Sequence, residues 1–207
     1  MIKTISKTDL EKCIYKVRNA GDKERSDDKY SKASVLVLFI NNEIKKNSSI
    51  LMIKRRDNLR KHAGQIAFPG GRKDKEDLNL EETAKRETEE EINISKEHFS
   101  IVGNIPKFFT GTGYVVTPFL GIIKSNSDWR KVLKPNLSEV EQIFFPPTDY
   151  LLSPEFHFRE KPPIGSSMSM TWTINYNNKN IWGLTARVLV TISAGLGLRE
   201  FPPCDDI

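Results

Sequence analysis

Between Arg86 and Glu91 the chain reads RETEEE, placing Arg86, Glu87, Glu89, Glu90 and Glu91 within six positions. On a helix, Glu87, Glu90 and Glu91 stand at i, i+3 and i+4 and share a face, where like charges cost about 0.2–0.5 kcal/mol per pair. A divalent cation reverses the sign of that repulsion. Carboxylate oxygens are hard donors that suit Mg2+ or Mn2+, ions that keep waters and substrate phosphates in their shells. The chemistry this arrangement fits is metal-assisted cleavage of a diphosphate, with a cation neutralising phosphate oxygens and activating water. Arg86 reads as the residue that orients a neighbouring carboxylate by ion pairing. The reaction also needs a general base, and Glu90 or the later Glu139 could serve. The plainer reading of the same residues is a solvated acidic helix face.

A second charged group lies upstream. Lys54, Arg55, Arg56, Arg60 and Lys61 are five cations in eight positions. Arginine forks match phosphate oxygens, so Arg55, Arg56 and Arg60 are candidate phosphate-binding residues, against the alternative of a solvated basic loop. Pro69-Gly70-Gly71 follows, read as a turn other residues could not make. Asn79 is a candidate N-cap and Glu82 stands at the third position of a capping-box-like pattern. This starts the acidic helix near Asn79, with Leu80, Ala84 and Thr88 toward the core.

Around this centre the pattern is that of a mixed α/β domain. Leu10, Ile14 and Val17 recur at helical spacing within residues 1–20, and GDKERSDDKYSK (21–32) reads as a linker. Ser34 to Ile40 is a buried strand, and Ser49 to Lys54 its hairpin partner. Gln65 to Phe68, Ser100 to Ile105, Val115 to Ile123 and Val140 to Phe145 are further strands. Residues 149–153 suggest a short helix. Met170 to Tyr176 and Asn180 to Trp182 flank a turn at Asn177-Asn178, and Thr185 to Leu196 forms a closing helix apolar on one face. In FFTGTGY, Gly111 and Gly113 would let backbone pass close to substrate with Tyr114 beside it. Phe108, Phe109 and Tyr114 could stack on a base or simply pack.

At 207 residues, 38% apolar and 29% charged, the chain suits one soluble globular domain with terminal additions. The expected division is residues 1–33 (helix and linker), 34–198 (domain) and 199–207 (irregular tail). No apolar run reaches the ~18 residues of a membrane span, and the N-terminus lacks an apolar signal core. Cys13 and Cys204 suggest no disulfide framework, so a cytoplasmic location is expected. The net charge of +5 and pI near 9.1 favour anionic partners. A phosphorylated small molecule satisfies that charge as well as nucleic acid would.

Residues 71–94 resemble the Nudix box, G-x5-E-x7-R-E-U-x-E-E-x-G-U, with U apolar. Arg86, Glu87, Glu90 and Glu91 match its core. Asp77 stands where the first Glu is expected, eight residues rather than seven precede Arg86, Thr88 replaces an apolar residue, and Asn93 replaces the glycine. The preceding LMIKRRDNLRKHAGQIAFPGG resembles L-L-x-x-R-x-x-x-L-R-x-H-x-G-Q-I-x-F-P-G-G of the Nudix subfamily that hydrolyses coenzyme A. Gly70, Gly71, Asp74 and Asp77 reproduce that subfamily's GG-x-x-D-x-x-D spacing. TGYVVTPF (112–119), LSEV (137–140) and IWGLTA (181–186) resemble later segments of it.

The resemblance covers roughly residues 34–198. It implies an α/β/α sandwich around a mixed sheet, and a Mg2+- or Mn2+-dependent hydrolase of a small diphosphate with Glu87, Glu90 and Glu91 as metal ligands. Arg55, Arg56, Arg60, Gly70, Gly71, Gly113 and Tyr114 would lie toward substrate. With coenzyme A the products are 3′,5′-ADP and 4′-phosphopantetheine. A sibling acting on ADP-ribose or NADH, or a non-catalytic nucleotide-binding domain, is the alternative. Monomer and homodimer are both compatible with the sequence.

Overall fold

The computed structural model describes residues 4–20, 26–59, 62–162 and 170–202. Helix α1 (Lys7–Asn19) starts at Ser6, whose hydroxyl accepts from the Asp9 backbone while the Asp9 carboxylate accepts from the Ser6 N–H. The elements that follow are β1 (Ser31–Asn42), β2 (Asn47–Ile50), β3 (Met52–Arg55), β4 (Ile66–Ala67) and β5 (Gly70–Arg72). Helix α2 (Leu80–Ile92) then leads to β6 (Phe99–Asn104), β7 (Phe108–Phe109), β8 (Tyr114–Ile123), α3 (Trp129–Val132) and β9 (Val140–Phe144). The chain closes with α4 (Thr148–Leu151), β10 (Phe158–Glu160), β11 (Thr171–Tyr176), β12 (Lys179–Trp182) and α5 (Gly183–Gly195).

The central sheet runs β2-β1-β8-β6, with β1 and β8 parallel and the other pairs antiparallel. β5 pairs with Ala33–Val35 of β1 and β2 with Phe39–Asn42, so the two lie end to end on the edge of β1 opposite β8. Strand β1 is buried on both faces, which explains its unbroken apolar run. Val37 and Phe39 join α1 and α5 in one core, while Leu36, Leu38 and Ile40 join Ala84 and Ile92 of α2 in the other. This is the helix–sheet–helix layering expected of the mixed-sheet sandwich. Two smaller sheets, β4-β3-β9 and β10-β11-β12, flank it. Among the described residues no helix is long and apolar enough to cross a membrane.

Several elements differ from the sequence reading. The segment expected as one strand over Ser49–Lys54 is divided at Leu51: β2 stays with β1, and β3 leaves to pair with β9 and β4. Leu51 is fully buried at the changeover, so hydrophobicity alone gives no break there. Gly70 and Gly71 do not turn the chain; they form β5. Strand β1 begins at Ser31, inside the stretch read as linker, because its parallel pairing with β8 starts at Ser31–Tyr114. Helix α5 is buried on nearly every side rather than one, since α1, β11 and β12 pack on it. β10, three exposed residues paired with β11, carries no apolar alternation that would mark it in the sequence. The Asn177-Asn178 hairpin is present, with both residues at positive φ (47° and 60°). Helix α1 shares the α5-side core through Leu10, Cys13, Ile14 and Val17. Residues 21–25 and 203–207, including Cys204, lie outside the described residues.

Candidate active site

Helix α2 is fixed at both ends by local chemistry. Asn79 caps it by accepting from the Glu82 N–H at 3.0 Å. Asn93 ends it in the left-handed conformation, φ 58°, a role asparagine tolerates in place of glycine. One flank of the helix then faces β5. A Cβ on Gly71 would lie 2.4–2.5 Å from the Glu87 carboxylate, so the missing side chain is the space Glu87 occupies. A Cβ on Gly70 would meet the Ser34 carbonyl at 2.3 Å. The Gly70 N–H donates to Glu91 at 3.0 Å.

Arg86 is the hub of this flank. Its Nε and Nη2 grip the two oxygens of Asp77 at 3.0 Å each, and its Nη1 reaches both Glu87 and Glu90 at 3.0 Å. Asp77 is buried and also accepts from the Asp74 N–H and the Thr83 hydroxyl, each at 2.9 Å. The Arg86 hydrogen bonds hold its carboxyl well below the ordinary carboxylate range despite burial. Asp77 therefore anchors the arginine that organises Glu87 and Glu90.

Glu91 is only 2% exposed, and Arg55 Nη1 donates to it at 2.8 Å. Burial pushes its carboxyl up to about 8, against the pull of the Gly70 N–H and Arg55. Burial also raises Glu87, assisted by the negative charges of Glu90 and Glu139 and opposed by Arg86. Glu139 approaches from the segment before β9, its carboxylate 3.7 Å from Arg55 Nη2.

A family model described as the NUDIX domain matches residues 31–164, well over half of the chain. The chain belongs to the Nudix hydrolase family. It is 34% identical over 144 residues to the uncharacterized Nudix hydrolase NudL of Pectobacterium atrosepticum, covering 68% of this chain and 71% of that protein. It is 35% identical over 161 residues to its namesake in Yersinia pestis, covering 76% of each. Among solved structures it resembles a MutT/nudix family protein from Enterococcus faecalis, with 16% identity and a TM-score of 0.51 over 86% of this chain and 66% of that one. That likeness speaks to the fold alone.

Nudix hydrolases act on nucleoside diphosphate derivatives, generally with divalent ions such as Mg2+ or Mn2+. In this Nudix chain the three box glutamates are turned toward arginines, Glu87 and Glu90 to Arg86 and Glu91 to Arg55. Among the described residues no three acidic, His or Cys side chains are gathered around one point as metal ligands would be. The donor chemistry nonetheless fits a hard divalent ion: three carboxylates on one flank of one helix, two of them sharing a single guanidinium nitrogen.

The other site residues from the sequence fall in different places. Arg56 Nη1 donates to the Leu137 carbonyl at 2.6 Å, and its backbone N–H to the Glu139 carbonyl at 2.9 Å. Arg60 and Lys61 lie outside the described residues. Lys54 is paired with Glu141 at 2.8 Å, and His62 Nδ1 lies 3.0 Å from the Gln65 side-chain oxygen. Gly113 and Tyr114 sit where β8 begins, bonded to Thr110 and Ser31. Gly113 has φ 83° with nothing within 4 Å of a would-be Cβ, so its backbone angle is what calls for glycine. Tyr114 pairs with Ser31, whereas Gly71 pairs with Ser34. That separation is roughly 10 Å along β1 at ~3.3 Å per residue, on its opposite edge. Phe108 is buried against Arg187, and Phe109 meets Tyr30 edge-on, which is packing. The Arg55–Glu91 pair was not read from the sequence. Its members stand 36 residues apart, and no local spacing marks them.

Proposed function

We propose that this Nudix hydrolase cleaves the diphosphate of coenzyme A or its acyl derivatives, giving 3′,5′-ADP and 4′-phosphopantetheine or its acyl form. The observation that carries the reading is the segment 51–71. Its subfamily-like sequence is the one that delivers Arg55, Gly70 and Gly71 to the carboxylates of α2. Glu87, Glu90 and Glu91 would hold the divalent ion. When bound, the ion supplies charge neutralisation on phosphate oxygens and a water of lowered pKa. Arg86, fixed by Asp77, keeps Glu87 and Glu90 on the reacting flank. Glu139 takes the proton of the attacking water, and Arg56 and Arg60 receive the substrate's phosphates.

The test is mass spectrometry of products from coenzyme A, dephospho-CoA, ADP-ribose and NADH, with Mg2+ and with Mn2+. Coenzyme A is expected to be the best substrate. Dephospho-CoA should fall about tenfold or more in kcat/KM, because one charge-assisted hydrogen bond to the 3′-phosphate contributes about 1.5–3 kcal/mol. A preference for ADP-ribose or NADH would overturn the coenzyme A assignment and leave a diphosphate hydrolase.

A further inference from the structure

We propose that Arg55 is a positioning residue, whose fork joins the buried Glu91 of α2 to Glu139 on the approach to β9 and so presents Glu139 to the carboxylate flank. The inference rests on the diphosphate-hydrolase reading above and assigns Arg55 a role other than gripping substrate.

The backbone already aims Arg55 this way. In the β3–β9 pair Lys54 stands opposite Gln142, but Arg55 stands opposite Val140, a register slip that passes over Glu141. Such a slip re-aims a strand end. Here it sets Arg55 one residue from Glu139, while Glu141 is drawn off by Lys54 at 2.8 Å. Arg56 holds the same segment from the other side, through its N–H to the Glu139 carbonyl and its side chain to the Leu137 carbonyl. The 137–139 segment is thus stapled to the end of β3 by Arg55 and Arg56 together.

The side chain of Arg55 is committed to carboxylates. Nη1 is 2.8 Å from Glu91 and Nη2 is 3.7 Å from Glu139. A fork occupied in this manner cannot also grip a phosphate in bidentate fashion without releasing one of them. Its Nε is buried and meets no acceptor among the described residues. The two partners differ in kind. Glu91 is held in place by burial, with 2% of its side chain exposed, whereas Glu139 keeps 47% and can meet a water or a substrate. Arg55 therefore ties a carboxylate that stays fixed to one that can react.

The experiment combines kinetics with melting. Arg55→Met should lower kcat about a hundredfold, the scale of a misplaced general base, with KM within about threefold of the wild type. The double variant Arg55→Met/Glu139→Gln should be slower than Glu139→Gln alone by far less than about a hundredfold, because Arg55 and Glu139 act as one unit. Arg55→Lys keeps the charge but reaches one carboxylate at a time, and should recover part of the loss. A large rise in KM with kcat retained would show that Arg55 reads substrate, and additive losses in the double variant would show that it does not act through Glu139. Either result overturns the proposal.

Melting in EDTA requires no turnover. Arg55→Met should lower Tm by about 5 °C, and adding Glu91→Gln should restore at least half of that by removing the buried carboxylate left without its guanidinium partner. No restoration would also overturn the proposal. A wild type that hydrolyses no diphosphate would overturn the functional reading itself, and the melts would still report whether Arg55 holds Glu91.

Discussion

The two flanks of α2 use the same residue types at the same spacings to different ends. On one flank, Lys85 pairs with Glu81 at 2.7 Å and Glu82 at 2.8 Å, two partly exposed carboxylates of its own helix. On the inner flank, Arg86 grips the buried Asp77 and gathers Glu87 and Glu90, while Arg55 reaches Glu91 from another strand. Partly exposed pairs within one helix, such as Glu81–Lys85, contribute about 0–1 kcal/mol and fade with salt. Glu87 and Glu91 lie against a strand made narrow by glycine, where burial raises what each carboxylate costs alone, while Glu90 stays more exposed. Charge pattern on a helix therefore does not separate a solvated face from a reactive one; the surface opposite does.

The largest expected contrast is between Glu90→Gln and Glu82→Gln. Glu90→Gln should lower kcat on the order of a thousandfold at saturating Mg2+, with unchanged circular dichroism, and Glu82→Gln should leave turnover near normal. Equal effects would erase the distinction between the flanks.

The adjacent glycines sharpen it next. In Gly71→Ala the new methyl meets only the flexible end of Glu87. Turnover should fall about a hundredfold, as for other misplaced catalytic groups, with a small change in Tm. In Gly70→Ala the methyl meets backbone, the Ser34 carbonyl at 2.3 Å and the Val35 Cα at 2.6 Å, so the melt should show a loss of several degrees. If Gly71→Ala instead loses stability and keeps its rate, Glu87 is not held where turnover needs it.

Acid titration separates the two ion-pair networks. Asp77 has a depressed folded pKa, so its stabilisation is complete above the unfolded value of about 3.9 and is lost as pH falls through the lower folded value. Asp77→Asn should therefore cost about 3 kcal/mol near pH 7, and the gap to wild type should narrow steadily below about pH 4. A gap independent of pH would mean that Asp77 contributes packing rather than charge. The smallest effect belongs to Lys85→Ala, expected to change stability by less than about 0.5 kcal/mol, with no effect on kcat and none on stability at high salt.

Much of α2 was legible in the sequence because its signals are short-range. The Asn79 cap, the left-handed end at Asn93, the i, i+3, i+4 glutamates and the buried Ala84 and Thr88 all follow from helical spacing and backbone preference. The Asn177-Asn178 hairpin and the α1 stripe were legible for the same reason. Gly70 and Gly71 were recognised as necessary but for the wrong shape: composition marks a position where a side chain cannot fit, and it does not say whether a turn or a neighbour excludes it.

What the sequence by itself determined, then, is which residues carry the charge, which face of α2 presents it and which family the chain resembles. Tertiary structure alone decided where the chain leaves one sheet for another at Leu51 and that Glu87 lies in the space left by Gly71. It also decided that Asp77 grips Arg86 and that Arg55 joins Glu91 to the 139 segment through a register slip. The physical reason is range. Helical period, caps and turns are set by a few consecutive residues, whereas strand exchange and a buried ion pair 36 residues apart are set by which surfaces exclude water together, and that is decided only when the sheets close.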